Sequence, residues 1–248
     1  GKISTGRMQD KFGLAFKDAI KIIDKYKNYN SIRFKCLSVH IGSQILDNKP
    51  YEKMLKVLKR IIDKSNYHFE YIDLGGGMGI DYENKKKNLN LKKYSSNIRK
   101  FKKKYKSKII FEPGRSIIAN TGYLISKIIY IKESEKKDFI ILDAAMNDLM
   151  RPALYNAKHR IIPINKNNKK SKKIYEFVGP ICETTDKFSS QKQFQKLFES
   201  DLIAICDVGA YGMSLSSNYN LRPKAIELLI KNSKVQVITK RQNLKDLI

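Results

Sequence analysis

The sequence is poor in the residues that staple or coordinate a small domain. Only three cysteines, Cys36, Cys182 and Cys206, occur in 248 residues, widely spaced and without a Cys-x-x-Cys pair. That pattern argues against a disulfide framework or a zinc site and points to a reducing compartment, the cytoplasm. Histidine is as scarce, at three, tryptophan is absent, and no metal centre is expected. No apolar run reaches the length of about 18 residues that a membrane span needs. Gly1-Lys2-Ile3-Ser4-Thr5-Gly6 lacks the apolar segment of a secretory signal, so neither a membrane nor an export route is expected. Acidic residues are also few: 24 against 50 Lys and Arg, a net charge of +26. Such an excess suits nucleic acid or an anionic membrane when the cations cluster. Here lysines run through nearly every segment, mixed with Asn and Ile, as in Asn84 to Asn88 and Asn165 to Lys170. With no recognition motif present, the excess reads first as lysine-filled solvated faces and only second as a nucleic-acid surface.

What is present is enough to build a core. Hydrophobic residues make up 42% and aromatics 10% of the chain, and at about 150 residues per domain the length predicts one to two domains. Phe16, Ala19, Ile20, Ile23 and Tyr26 recur at helical spacing, then Ile32, Phe34 and Cys36 alternate as in a strand that leads to His40. A second helix is predicted after Asp47 and Pro50, with Tyr51, Met54, Leu55, Leu58, Ile61 and Ile62 on one face. A strand over 69–74, a helix carrying Leu91, Tyr94, Ile98, Phe101 and Tyr105, and a strand over 109–111 complete a β-α-β-α-β order, which implies a parallel sheet. Beyond about residue 120 the pattern changes to short β-rich runs, 123–131, 139–142, 174–178, 202–206 and 235–238, a mostly antiparallel β domain. The fold class expected is therefore α/β plus β, with one domain over 1–120 and a second over 121–248.

Three strand ends of the first half carry chemistry: His40-Ile41-Gly42-Ser43-Gln44, Gly75-Gly76-Gly77-Met78-Gly79 and Glu112-Pro113-Gly114-Arg115. In a (β/α) barrel the C-terminal ends of strands share one face, so these segments are expected on one side of the sheet. Each has a bland reading. The glycines could form a permissive turn, His40 could be a core histidine, and Glu112 with Arg115 could be a surface ion pair of little worth. They could equally offer backbone N–H groups to a phosphate, an imidazole to a planar ring, and an acid and a guanidinium to a pyridinium nitrogen and a carboxylate. The second half adds Asp143 to Tyr155, Gly179 to Asp186, and Gly209-Ala210-Tyr211-Gly212-Met213-Ser214 with Ser217-Asn218-Tyr219-Asn220. Cys182 alone could be an inert thiol, Arg151-Pro152 a loop anchor, and Tyr211 and Tyr219 ordinary aromatics.

Taken together, in this order and at this spacing, the six segments resemble the meso-diaminopimelate decarboxylases, pyridoxal-phosphate-dependent enzymes that join an alanine-racemase-like barrel to a β domain. The resemblance runs from Lys2-Ile3-Ser4-Thr5-Gly6 and Asp10-Lys11-Phe12-Gly13 almost to the C-terminus. It implies pyridoxal 5'-phosphate as cofactor, with His40 stacked on the ring, Gly75, Gly76 and Gly77 at the phosphate, and Glu112 on the pyridine nitrogen. Pro113, Gly114 and Arg115 would complete that site. It also implies Arg115, Arg151 and Tyr155 at substrate carboxylates, Cys182 as the proton donor, Glu183 at a substrate ammonium, and Tyr211 touching cofactor and substrate. Ser43, Gln44 and Asn218 gain little from it, and Cys36 and Cys206 stay structural. The partners implied are a small amino-acid substrate and a second copy in a homodimer with shared active sites.

The resemblance has one departure. The family's Schiff-base lysine lies in a Tyr-x-x-Lys-Ala-Asn-like segment, and nothing similar occurs here. The chain is thus expected to be the C-terminal portion of a longer enzyme, holding the C-terminal half of a (β/α)8 barrel followed by the β domain, and to be inactive alone. Decarboxylation of meso-2,6-diaminopimelate to L-lysine is the leading expectation. A decarboxylase for ornithine, arginine or a carboxylated polyamine, and a non-catalytic homologue that binds the true enzyme, are the alternatives.

Overall fold

Asp47 starts the longest helix of the chain: its carboxylate accepts the Lys49 N–H at 2.9 Å, and Pro50 sits in the first turn, where no intrahelical donor is lost. A computed structural model describes residues 11–248, so Lys2 to Gly6 and Asp10 lie outside the described residues. The chain forms two compact units that divide between Ile118 and Ala119.

In the first unit α1 (Phe16–Tyr26), α2 (Asn48–Ser65) and α3 (Leu91–Tyr105) accompany three parallel strands, β1 (Cys36–Ser38), β2 (Tyr71–Asp73) and β3 (Lys108–Ile110), in the order β1-β2-β3. Tyr51, Leu58, Ile72, Leu74 and Phe101 are almost fully buried between helices and sheet. Burying one such side chain contributes about 1.5–3 kcal/mol, so this packing, more than local propensity, fixes where the strands end. Helix α3 carries seven basic residues and no acidic one, and still forms because Tyr94, Ile98 and Phe101 are buried along one face. The strand expected from Ile32 starts only at Cys36. Its neighbour β2 pairs from Tyr71 onward, and the Phe34 N–H donates to Tyr67 Oη at 3.1 Å instead of to a ladder. A four-residue helix, α4 (Arg115–Ile118), follows Gly114.

The second unit is built on a six-stranded sheet of β4 (Tyr123–Lys132), β5 (Lys137–Leu142), β6 (Ile161–Pro163), β7 (Ile174–Val178), β8 (Lys187–Gln191) and β9 (Leu202–Cys206). Its order is β6-β9-β4-β5-β7-β8, antiparallel throughout except for the β5–β7 pair. Ile128, Ile140, Leu142, Phe177, Ile203 and Ile205 form its core. A short helix, α5 (Arg151–Tyr155), lies between β5 and β6, and a separate hairpin, β10 (Glu227–Lys231) with β11 (Lys234–Thr239), follows β9. Among the described residues no helix is long and apolar enough to cross a membrane, and no group of three or more His, Cys, Asp or Glu could hold a metal ion.

Candidate active site

In the first unit the hydrogen-bond ladder continues past the strands. The Val39 N–H donates to Asp73 O at 3.0 Å, Leu74 N–H to Ile110 O at 3.1 Å, and Glu112 N–H to Gly75 O at 2.9 Å. His40, Gly75 to Gly77 and Glu112 therefore leave the sheet together at one end, as the barrel reading requires. Glycine is obligatory there. A Cβ on Gly75 would lie 2.4 Å from Val39 O, one on Gly76 2.2 Å from Glu112 O, and one on Gly77 2.3 Å from Gly42 O; Gly75 and Gly77 also hold φ of +62° and +84°. The turn is set from beneath by Asp73, a buried carboxylate that accepts the Gly75 N–H at 2.9 Å and the Ser38 hydroxyl at 3.1 Å.

Around this loop the candidate side chains divide by exposure. His40 and Glu112 are exposed, so the core-histidine reading of His40 does not hold; its Nδ1 accepts the Gly76 N–H at 3.5 Å, a long bond. Arg115 is buried, and its guanidinium donates to Tyr82 Oη at 2.7 Å and Ser43 Oγ at 3.1 Å. Pro113 and Gly114 turn the chain into α4, and the Gly114 carbonyl accepts the N–H groups of Ile117 and Ile118. An exposed imidazole, an exposed carboxylate and a close-packed glycine turn, with no backbone acceptor on the Gly77 N–H among the described residues, fit a flat cationic ring that carries a phosphate.

In the second unit a single buried carboxylate shapes the turn that displays Cys182 and Glu183. Asp186 accepts the Ile181 N–H at 2.8 Å with one oxygen and the Met146 N–H at 2.7 Å with the other. Gly179 makes room for it, since a Cβ there would fall 2.2 Å from Asp186 Oδ2. Cys182 and Glu183 are exposed on this turn. The Glu183 carboxylate is held from both sides: Tyr219 donates a short hydrogen bond to Oε1 and Thr185 donates to Oε2 at 3.2 Å. Asn147, fully buried, ties in the third segment. Its Oδ1 accepts from Arg222 Nε at 2.9 Å, and its carbonyl accepts the Ser217 N–H at 3.0 Å. The segments 143–150, 179–186 and 217–222 thus form one hydrogen-bonded cluster.

Arg151 opens α5 and is buried, with Nη1 2.9 Å from His159 Nε2. Tyr155, one helical turn later, is exposed, as is Tyr211, whose φ of +66° is unusual for a residue with a side chain. Cys206 is buried, and burial raises its thiol pKa, which agrees with a structural role; Cys36, also read as structural, is exposed on β1. Of Gln44 and Asn218, the first brackets the backbone of Ile80 and the second bonds to Arg222 O and Gln242. Nothing in the sequence alone assigns a role to Asp73, Tyr82, His159, Asp186, Tyr219 or Arg222, each of which makes at least one bond to a residue more than thirty positions away.

Burial pushes the carboxyl groups of Asp148 and Asp186 above the ordinary aspartate range, although backbone N–H groups and Arg222 oppose the shift. Each then holds its proton more tightly in the folded chain. Their contribution is full below the unfolded value of about 3.9 and is lost as pH rises through the raised folded values. An Asp148→Asn protein is expected to lose less stability than the parent over that rise, measured by denaturant melts at stepped pH; equal slopes would clear Asp148 of the effect.

A model of the C-terminal sheet domain of pyridoxal-dependent decarboxylases matches residues 20–209. The chain belongs to this family. It is 41% identical to the diaminopimelate decarboxylase of Zymomonas mobilis over 100% of its own length and 59% of that protein, and 38% identical to that of Aquifex aeolicus over 97% and 58%. It is also similar to the crystal structure of diaminopimelate decarboxylase from Helicobacter pylori complexed with L-lysine, at TM-score 0.86 and 39% identity, covering 99% of this chain and 61% of that one. The enzyme from M. jannaschii in complex with L-lysine gives TM-score 0.90 at 36% identity, with 99% and 58% covered. The chain therefore spans about three fifths of the length of these relatives and has their fold: part of an alanine-racemase-like barrel followed by the sheet domain.

Proposed function

We propose that this chain supplies the C-terminal part of a diaminopimelate decarboxylase, which converts meso-2,6-diaminopimelate to L-lysine and carbon dioxide. The observation that carries the reading is identity of 36–41% to proteins of that name over 97% or more of the chain. The lysine/ornithine decarboxylase of Vibrio vulnificus, at 22%, shares the fold alone.

Pyridoxal phosphate, when bound, supplies an electron sink for the pair left on the α-carbon as the bond to the carboxylate breaks. His40 would stack on its ring, Gly75 to Gly77 with Pro113, Gly114 and Arg115 would hold the phosphate end, and Glu112 would keep the pyridine nitrogen protonated. Arg115, preset by Tyr82 and Ser43, offers a fixed fork to one carboxylate. Arg151 and Tyr155 take the distal carboxylate, Glu183 pairs with the distal ammonium, and Tyr211 lines both cofactor and substrate. Cys182 gives its thiol proton to the α-carbon, which becomes a CH2 group, and the thiolate recovers a proton from solvent; the stereocentre kept in L-lysine is the distal one, which the reaction leaves untouched. We further infer a homodimer in a reducing cytoplasm, in which Cys182 and Glu183 serve the partner's cofactor.

Fusion of this chain to the remaining two fifths of a relative tests the reading. Carbon dioxide release from meso-diaminopimelate and none from ornithine is the expected result; preference for ornithine would overturn it. In that enzyme Arg151→Ala is expected to reduce discrimination for the diacid over an amine-ended substrate about a hundredfold, since an amine cannot return the guanidinium's charge-assisted bonds. Unchanged relative kcat/KM would remove Arg151 from specificity.

A further inference from the structure

Beside Arg151 the second unit holds a buried histidine, His159, to which the reaction above gives no role. Arg151 Nη1 lies 2.9 Å from His159 Nε2, and His159 Nδ1 lies 2.9 Å from the carbonyl oxygen of Cys206 on β9. Arg151 is 6% exposed and His159 3%. The chemistry of the two ends fixes the ring between them. A carbonyl oxygen only accepts, so Nδ1 must carry the hydrogen; a guanidinium only donates, so Nε2 must be bare. A doubly protonated imidazole would turn an N–H toward a cation. His159 is therefore the neutral Nδ1–H tautomer, with its lone pair aimed at one N–H of Arg151.

We propose that His159 is a positioning residue for Arg151: anchored to the backbone of β9, it accepts one guanidinium N–H and so fixes the plane in which Arg151 meets a substrate carboxylate. An arginine can rotate about four side-chain bonds, and bidentate recognition requires its planar fork to be oriented in advance. The helix supplies only the Cα position, because α5 is five residues long. The Cys206 carbonyl, at the end of a strand paired with both β4 and β6, gives the imidazole a rigid reference. The inference rests on the reading of Arg151 as a carboxylate contact.

Two substitutions separate this role from a merely structural one. The amide nitrogen of His159→Asn stands near the position of Nδ1 and keeps the bond to Cys206, but removes the imidazole Nε2 that faces Arg151. The longer His159→Gln places an amide oxygen near Nε2 and restores an acceptor for Arg151. In the fused, full-length enzyme, His159→Asn is expected to raise KM for meso-diaminopimelate about tenfold with little change in kcat, and His159→Gln to recover most of that loss. The reverse ranking, or equal losses that follow a fall in melting temperature, would overturn the proposal. Nitrogen-15 NMR of the 248-residue chain gives a readout apart from activity. A protonated Nδ1 and bare Nε2 are expected, and an Nε2–H tautomer would overturn the assignment. Arg151→Ala distinguishes the two levels of failure: no change in its KM overturns the carboxylate reading of Arg151 and this inference with it. A raised KM together with the reversed ranking overturns the role of His159 alone.

Discussion

Cys182→Ala in the full-length enzyme is expected to lower kcat about a thousandfold and to leave KM within about a factor of two. Removing a positioned general acid costs about 10²–10⁴ in rate, and a residue that donates only in the transition state contributes little to ground-state binding. The thiol stands on a turn that cannot drift. Both oxygens of Asp186 are spent on backbone N–H groups from two different loops, and neighbouring Glu183 is held by Tyr219 and Thr185. Cys182→Ser should recover only part of the rate, because a hydroxyl of the same reach is a far weaker acid. Steady-state kinetics with the diacid decide the matter. If Cys182→Ala keeps more than about a tenth of the parent kcat, another group delivers the proton.

Gly76→Ala is expected to destabilise the first unit strongly, through steric overlap alone. The added carbon would lie 2.2 Å from Glu112 O, a backbone atom that can move only if the Glu112 N–H lets go of Gly75 O. Overpacking of this kind costs about 1–3 kcal/mol, and loss of the hydrogen bond adds about 1 more. Gly114→Ala provides the contrast, since nothing stands within 4 Å of its would-be Cβ; a change within about 0.5 kcal/mol is expected there. Denaturant melts of the two variants and the parent test the difference. Equal stabilities would mean that the strand ends are looser than their interlock implies.

The periodic elements were legible in the sequence because their cores repeat. Tyr51, Met54, Leu55, Leu58, Ile61 and Ile62 mark α2 as plainly in the chain as they do in the fold. The short elements were not. β6 is three residues ending in Pro163, β8 has one apolar residue in Lys187–Gln191, and the Leu-Leu-Ile run of β10 does not alternate. α5 is too short for periodicity to register, and β1 starts where a partner strand permits, which is information held by Tyr71. At the sites, residues in recognisable segments such as His40, Glu112 and Cys182 could be picked out. Their supports could not: Tyr82 meets Arg115 across 33 positions, and Arg222 meets Asn147 across 75. Nothing local distinguishes such a side chain from a solvated one until the loops have been folded together.

The glycine loop has a consequence for the order of folding events. Its neighbours are backbone atoms of Val39, Gly42 and Glu112, contributed by segments more than thirty residues away on either side. The loop takes shape only after two long closures have brought three parallel strands into register, each at an entropic cost that grows with the logarithm of the intervening length. The turn that gathers His40, Gly76 and Glu112 thus depends on closures over long stretches of chain, and a chain in which the three strands are not yet paired would lack it.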